Sequence, residues 1–178
     1  MAAEIWDLYD GNGFITDRTM VRGEEVPAGL YHLVVHIWPM NDRGEFLIQQ
    51  RSMSVQWKPG VWAVTGGAAV SGEDALTAAR RELSEELGYD AEEGELIKVA
   101  CLKRVNSFCN VYSIRLNLPE SEFVLQREEV QAVKWCSGDQ LLRMVGDNTL
   151  YNYGDVYFRM LMHYRRTCTQ NMMHKHNH

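Results

Sequence analysis

Hydrophobic and polar residues alternate along several short segments of the chain, and these segments are rich in β-branched and aromatic residues. This period of two is typical of strands with one buried face. It predicts strands at Ile5–Tyr9, Ile15–Arg22, Tyr31–Trp38, Phe46–Arg51, Val61–Val64, Leu96–Val105, Asn110–Leu118 and Val130–Trp135. The turn sequences at 10–13 and 41–44 predict hairpins in the first half of the chain.

Other segments repeat with the helical period, and they predict helices at Glu73–Leu87, Asp139–Val145 and Tyr153–Arg166. Strands interleaved with a few helices predict an α/β layered domain. Because no linker or internal repeat interrupts the pattern, we expect one domain over residues 1–170. Residues 171–178 are polar and rich in histidine, which predicts a disordered tail.

Within the first predicted helix, one set of apolar side chains falls within an arc of roughly 80° when residues are placed at ~100° steps. The set comprises Leu76, Ala79, Leu83 and Leu87. We expect this stripe to pack on a sheet.

The composition is that of an ordinary globular chain, since 46% of its 178 residues are hydrophobic and 24% are charged. The longest apolar run, residues 30–40, is shorter than the ~20 residues that a membrane span needs. The N-terminal sequence has no basic region before an apolar stretch, so we expect a cytoplasmic protein. The cysteines lie far apart, which predicts reduced thiols rather than disulfides or a zinc site: Cys101, Cys109, Cys136 and Cys168.

The net charge of −6 argues against a general nucleic-acid-binding surface, and we expect neither nucleic acid nor membrane as a partner. The acidic residues are unevenly distributed. Between Glu73 and Glu95 there are nine acidic and two basic residues, a local charge of −7. Such a segment is either a solvated helix face or a site that holds a cation.

Three glutamates of this segment, Glu82, Glu85 and Glu86, share a separate arc of roughly 100° on the same helix. Like charges at this spacing cost a few tenths of a kcal/mol per pair, and no lysine lies nearby on the helix to offset them, although Arg81 is adjacent. Mg²⁺ prefers carboxylate and water oxygens and is usually completed by substrate phosphates. The cluster therefore favours a divalent-cation site.

Residues 67–89 read GAAVSGEDALTAARRELSEELGY. This segment resembles the Nudix box, GX5EX7REUXEEXGU with U aliphatic, and it matches all seven fixed letters. At ~6% usage per residue type, seven identities arise by chance on the order of 10⁻⁹ times per starting position. The one departure is Tyr89, which stands where the family usually has an aliphatic residue.

The resemblance implies the Nudix fold, an α/β/α sandwich with a mixed sheet and a loop–helix–loop box. It also implies hydrolysis of a phosphoanhydride bond with Mg²⁺ or Mn²⁺. The substrate class would be a nucleoside diphosphate linked to another moiety, or a related organic diphosphate. Family members are often homodimers, and the sequence leaves open whether this chain is one.

Carried over by position, the metal ligands would be Glu82, Glu85, Glu86 and the carbonyl oxygen of Gly67. Arg81 would orient these glutamates, and Glu73 would be a structural acid of the box. Glu82 is the first candidate for the general base, followed by Glu85 or Glu86.

Residues outside the box leave alternatives open. Glu129, beside Glu128, is a candidate additional metal ligand, and a solvent-exposed turn acid is an equally good interpretation. Arg51 and Lys58 are candidates for binding the substrate diphosphate, or they form surface salt bridges. Trp62 either packs in the core, which we favour, or stacks on a base.

The N-terminal half is similar to the isopentenyl-diphosphate isomerase branch of the Nudix superfamily. That branch uses a catalytic cysteine soon after a Pro-Gly-x-Trp stretch, and here residues 63–68 read Ala-Val-Thr-Gly-Gly-Ala. We therefore favour hydrolysis over isomerisation and interpret His32 and His36 as buried strand residues. The second alternative is a Nudix module that senses a nucleotide without cleaving it, which has no need of the intact glutamates.

Overall fold

The computed structural model describes the backbone of residues 3–175 and the side chains of residues 3–170. Contacts divide the chain into two compact units. The first comprises the described residues up to Ile37 together with Thr65–Ser113. The second comprises Trp38–Val64 together with the described residues from Ile114 onward. The prediction of a single domain over residues 1–170 stays a prediction.

The first unit begins with an antiparallel hairpin of β1 (Ile5–Tyr9) and β2 (Ile15–Val21). The turn between them is held by Asp10, whose carboxylate accepts hydrogen bonds from two backbone amides, of Asn12 at 2.8 Å and Phe14 at 3.0 Å. The predicted N-terminal hairpin is therefore confirmed.

The first unit also contains four strands and a helix. Strand β3 (His32–Met40), whose last three residues belong to the second unit, pairs with β6 (Thr65–Ala68). Next to β3 lies β8 (Ser107–Arg115), which pairs with β7 (Ile97–Lys103). The last two residues of β8 belong to the second unit. The helix α1 (Ala75–Leu87) packs on β6.

Local signals fix both ends of α1. The carboxylate of Asp74 accepts a hydrogen bond from the amide of Thr77 at 2.7 Å, which caps the first turn. The helix ends at Gly88, whose φ of 66° is a left-handed conformation that glycine adopts without steric cost.

The buried face of α1 differs from the predicted stripe. Ala79, Leu83 and Leu87 are buried as expected, but Leu76 is 43% exposed because it lies in the first turn of the helix. Glu86 is only 1% exposed. At ~100° per residue Glu86 lies outside the predicted stripe, between the buried Ala78 and Ala79, so the buried face is wider than predicted and overlaps the acidic arc.

In the second unit, β4 (Phe46–Arg51) pairs antiparallel with β9 (Val130–Cys136), with β5 (Trp62–Ala63) and with the end of β3. Two helices follow, α2 (Gly138–Gly146) and α3 (Asp155–Lys175). The core of the unit includes a buried hydrogen bond of 2.6 Å from the indole Nε1 of Trp38 to the hydroxyl of Tyr157. Other fully buried side chains are Phe46, Leu47, Ile48, Leu141 and Leu150.

The mixed sheet and the three helices found in residues 3–175 confirm the predicted α/β class. Strand β6 was not predicted, and α3 continues to Lys175, beyond its predicted end at Arg166. Of the predicted tail, residues 176–178 and the side chains of 171–175 lie outside the described residues. None of the described helices is both long and apolar enough to cross a membrane. All four cysteines are free thiols.

Candidate functional site

The strand β6 brings the backbone of the motif against the glutamates of α1. The carboxylate of Glu82 lies so close to Gly67 that a side chain at position 67 would overlap it. Only glycine permits this approach of side chain to backbone. The structure therefore brings together two of the residues predicted to bind metal.

Arg81 organises the acidic side chains of the motif. Its Nε and Nη2 donate to the two carboxylate oxygens of Glu73 at 2.8 and 3.0 Å. Its Nη1 donates to Glu82 at 2.9 Å and to Glu85 at 3.1 Å, and Nη2 also donates to the carbonyl of Ala68 at 3.0 Å. Five hydrogen bonds thus match the five N–H groups of the guanidinium.

The pKa values of the arginine and its bidentate partner change in the directions expected of a strong ion pair. The hydrogen bonds that Arg81 donates to Glu73 raise the pKa of Arg81, against the opposing effect of burial. Burial raises the pKa of Glu73, but hydrogen bonds from Arg81 and from the amide of Val70 outweigh it and lower the pKa overall. The repulsion expected among the glutamates is therefore offset by Arg81, which contacts Glu73, Glu82 and Glu85.

Glu86 occupies a different environment from the other two glutamates. It is buried, and its Oε2 accepts a hydrogen bond from the amide of Gly66 at 3.0 Å. In the pairing of β3 with β6, His36 lies opposite Gly66. Burial, reinforced by the charge of Arg104, lowers the pKa of His36 to about 3, so the imidazole is neutral at pH 7.

The predicted burial of both strand histidines is confirmed. His36 is 7% exposed and His32 is 8% exposed. The ring of His32 stacks on Trp6 with a centroid distance of 4.3 Å, and burial lowers its pKa. Both histidines are therefore packed in the interior of the first unit.

A divalent cation fits the chemistry of this segment. The available metal-ligand atoms are all oxygens, and they belong to Glu82, Glu85, Glu86 and the carbonyl of Gly67. Oxygen ligands of this kind suit Mg²⁺ or Mn²⁺. Among the described side chains, however, no three His, Cys, Asp or Glu residues are arranged as a complete metal site. Two of the glutamates are turned towards Arg81 and the third towards Gly66. The metal assignment stays a prediction.

The other predicted site residues belong to the second unit. Arg51 donates from Nε to the carbonyl of Trp57 at 2.9 Å, and its guanidinium lies 5.1 Å from the centre of the Trp57 ring. The backbone carbonyl of Glu129 accepts a hydrogen bond from Ser52 at 2.7 Å, which places it at the same end of β4 as Arg51. Lys58 lies in the loop after β4 with a φ of 49°. Their proposed roles stay predictions.

Two tryptophans of the second unit are partly exposed. Trp62 was expected in the core, but it is only half-buried, and the ammonium of Lys134 lies 4.2 Å from its ring centre. Trp57 is 49% exposed and contacts the ring of Tyr151 at 4.8 Å.

Comparison with known proteins agrees with the motif. Residues 30–153 match the family described as NUDIX domain. The chain is 32% identical over 160 residues to the uncharacterized Nudix hydrolase lin0387 of Listeria innocua, covering 88% of this chain and 95% of that one. It is 34% identical over 96 residues to an isopentenyl-diphosphate Delta-isomerase of Serratia proteamaculans, covering 53% and 49%.

Among solved structures, DR0079 of Deinococcus radiodurans is similar with a TM-score of 0.75 and 23% identity. The match covers 90% of this chain and 98% of that chain. This likeness shows that the two chains share a fold, and it confirms the predicted Nudix fold.

Proposed function

The chain belongs to the Nudix family of hydrolases, and we propose that it cleaves the phosphoanhydride bond of a nucleoside diphosphate linked to another moiety, or of a related organic diphosphate. The observation that carries the proposal is the set of contacts around Arg81. One guanidinium orients Glu82 and Glu85, and the first of these is pressed against Gly67. An arrangement of this kind holds carboxylates in fixed positions for chemistry at a phosphate.

The residues that would hold Mg²⁺ or Mn²⁺ are Glu82, Glu85, Glu86 and the carbonyl of Gly67. A cation bound there would supply neutralisation of the phosphate oxygens and a more acidic water. Glu82 is our first candidate for accepting the proton of the attacking water, because its carboxylate is oriented by Arg81 and lies against β6. Glu85 and Glu86 are the alternatives.

Water attack on phosphorus breaks the bridging P–O bond, and the departing phosphate takes the electron pair. The products are two phosphorylated compounds. Arg51 and Lys58 are proposed to bind the substrate diphosphate, and Glu129 is proposed as an additional acid.

Two other functions make different predictions for the same chain. The partial similarity to an isomerase favours a test with isopentenyl diphosphate, although residues 63–68 contain no cysteine. A nucleotide sensor would bind a nucleotide without cleaving it. Either result would replace the hydrolase proposal.

The deciding experiment measures phosphate or monophosphate release from nucleotide sugars, dinucleoside polyphosphates, nucleoside triphosphates and isopentenyl diphosphate, with Mg²⁺ and with chelator. We expect chelator-sensitive cleavage of one class. Glu85→Gln and Glu86→Gln should abolish it while preserving the fold, because an amide oxygen still accepts the hydrogen bonds from Arg81 and Gly66. The exposed Glu93→Gln serves as the matched control and should retain activity. Full activity in both site variants would refute the assignment.

A further inference from the structure

The N-terminal hairpin precedes the segment that matches the Nudix family, yet it is fixed to the first unit at several points. Tyr9 and Tyr31 exchange two backbone hydrogen bonds of 2.7 and 2.9 Å. The ammonium of Lys103 donates to the carbonyl of Gly11 at 2.6 Å. Together with the stacking of Trp6 on a strand histidine, these contacts hold β1 in one place.

Strand β1 also contacts the loop that leads into α1. The carbonyl of Ile5 accepts a hydrogen bond from the amide of Ser71 at 2.8 Å. The carboxylate of Asp7 accepts one from the hydroxyl of Ser71 at 2.6 Å and another from the amide of Gly72 at 2.8 Å. Three hydrogen bonds therefore fix two consecutive loop residues immediately before Glu73.

We propose that Asp7 is a positioning residue for the glutamates of the catalytic segment, acting through this loop. Glu73 follows the loop directly, and its carboxylate binds Arg81 through two hydrogen bonds. Arg81 in turn holds Glu82 and Glu85. A shift of the loop would move Glu73 and with it the rigid guanidinium of Arg81, so both glutamates bound to that guanidinium would also move. The consequence for metal binding rests on the proposed function, whereas the placement of Arg81 does not.

The residue immediately before β1 supports this view of the hairpin. Glu4 accepts hydrogen bonds of 2.7 Å from Trp6 and from Arg22. The charge of Glu4 acts on the motif, because it raises the pKa of Glu73. Burial raises the pKa of Glu4 itself, but the hydrogen bonds from Trp6 and Arg22 and the charges of Arg22 and Arg81 outweigh burial and lower it. The hairpin therefore contributes an acidic group near Arg81 as well as a backbone support.

The test compares Asp7→Ala with Asp7→Asn. The asparagine side chain has the same shape, its oxygen can accept the hydrogen bond from Gly72, and its NH2 group can donate to the hydroxyl oxygen of Ser71. Asp17→Ala is the matched control, because Asp17 is an exposed aspartate on β2 of the same hairpin. The first readout is the ¹⁵N NMR signal of the Arg81 Nε–H group and its rate of exchange with water. We expect Asp7→Ala to shift the signal and to speed its exchange with water, because the Nε–H hydrogen bond to Glu73 is then held less firmly. The other two variants should resemble the unaltered protein.

The second readout is Mn²⁺ affinity by calorimetry without substrate. We expect Asp7→Ala to bind Mn²⁺ about tenfold more weakly, since loss of outer-shell partners typically costs 10- to 100-fold in metal affinity. A merely structural role would lower the melting temperature but leave the affinity of the folded protein unchanged. If Asp7→Ala does not fold, Ser71→Ala removes only the 2.6 Å hydroxyl bond and should change both readouts in the same direction by less.

The outcomes separate the two proposals. An Arg81 signal that is unchanged in a folded Asp7→Ala variant overturns the positioning role. A changed signal with unchanged Mn²⁺ affinity overturns its link to the metal site. If the unaltered protein binds no Mn²⁺ and cleaves nothing, the proposed function fails, while the Arg81 signal still decides the role of Asp7.

Discussion

Replacing Arg81 with alanine should destabilise the protein in a way that depends on pH. The substitution removes five hydrogen bonds and leaves the side chains of Glu73 and Glu82, which are only 13% and 12% exposed, without their counter-charge. Removing one partner of a buried ion pair costs ~3–5 kcal/mol, and pairs open to solvent cost less. Because Arg81 is 26% exposed and Glu85 is 51% exposed, we expect a loss of about 2–4 kcal/mol in the free energy of unfolding near pH 7.

The pH dependence follows from Glu73. In the unaltered protein burial raises its pKa, but the hydrogen bonds from Arg81 outweigh this, so the pKa lies below its usual 4.5. A lowered folded-state pKa contributes stability above about pH 4.5, and this stability is lost as the pH falls through the folded pKa. Without Arg81, the effects of burial and of the charge of Glu4 are opposed only by the hydrogen bond from the amide of Val70, so the pKa of Glu73 is higher than in the unaltered protein. As the pH falls, Glu73 of the variant is protonated and the cost of burying its charge disappears. The difference in the free energy of unfolding between the two proteins should therefore decrease at acidic pH.

The measurement is urea denaturation followed by tryptophan fluorescence, without metal, near pH 7 and near pH 4. Arg80→Ala is the matched control, because Arg80 is an arginine on the same helix that donates to the carbonyl of Ala91 at 2.7 Å. Its loss of stability should be small and similar at both pH values. The reasoning would be refuted if Arg81→Ala cost the same at both pH values, or no more than Arg80→Ala.

Three further predictions concern single positions. Gly67→Ala should lower kcat at least about tenfold with an unchanged circular dichroism spectrum, because the added methyl group displaces the carboxylate of Glu82; normal kcat would contradict the close approach. Burial raises the pKa of Cys109 to about 11, so iodoacetamide near pH 8 should label the exposed Cys101 and spare Cys109 in the native protein. Labelling is measured by peptide mass spectrometry, and equal labelling of the two cysteines would contradict this prediction. Tyr157→Phe deletes the acceptor of a buried indole N–H and should cost about 1–3 kcal/mol in urea denaturation, whereas no measurable cost would show that the hydrogen bond is unimportant.

The regular elements were predictable because their signals are local. The strands Ile5–Tyr9 and Phe46–Arg51 have the predicted bounds, and α1 ends where Gly88 permits a left-handed turn. Strand β6 was missed because its sequence, Thr-Gly-Gly-Ala, contains two glycines, which are depleted in strands. Gly67 is explained by the approach of Glu82 to the backbone, and Gly66 by its φ of 149° and by the carbonyl of Val35, which a side chain at position 66 would overlap. Both are tertiary contacts that leave no local signal.

The motif identified the glutamates of the candidate site but not the different surroundings of each. A helical wheel gives the direction of Glu86 and not what covers it, so its burial could not be predicted. Arg81 and Glu82 are adjacent in sequence, and adjacent residues do not face each other on a helix. Their contact arises because the long arginine side chain folds back to reach Glu73, eight residues earlier.

The contact of Asp7 with Ser71 shows a second limit of reading the site from its motif. The two residues are 64 positions apart, and Asp7 lies on a hairpin that precedes the residues matched to the family. The chemistry of the motif requires only that carboxylates be present at fixed spacing, but their geometry depends on whatever holds the loop before α1. Two chains with the same motif can therefore differ in metal affinity through residues outside it, because those residues set where the guanidinium of Arg81 lies.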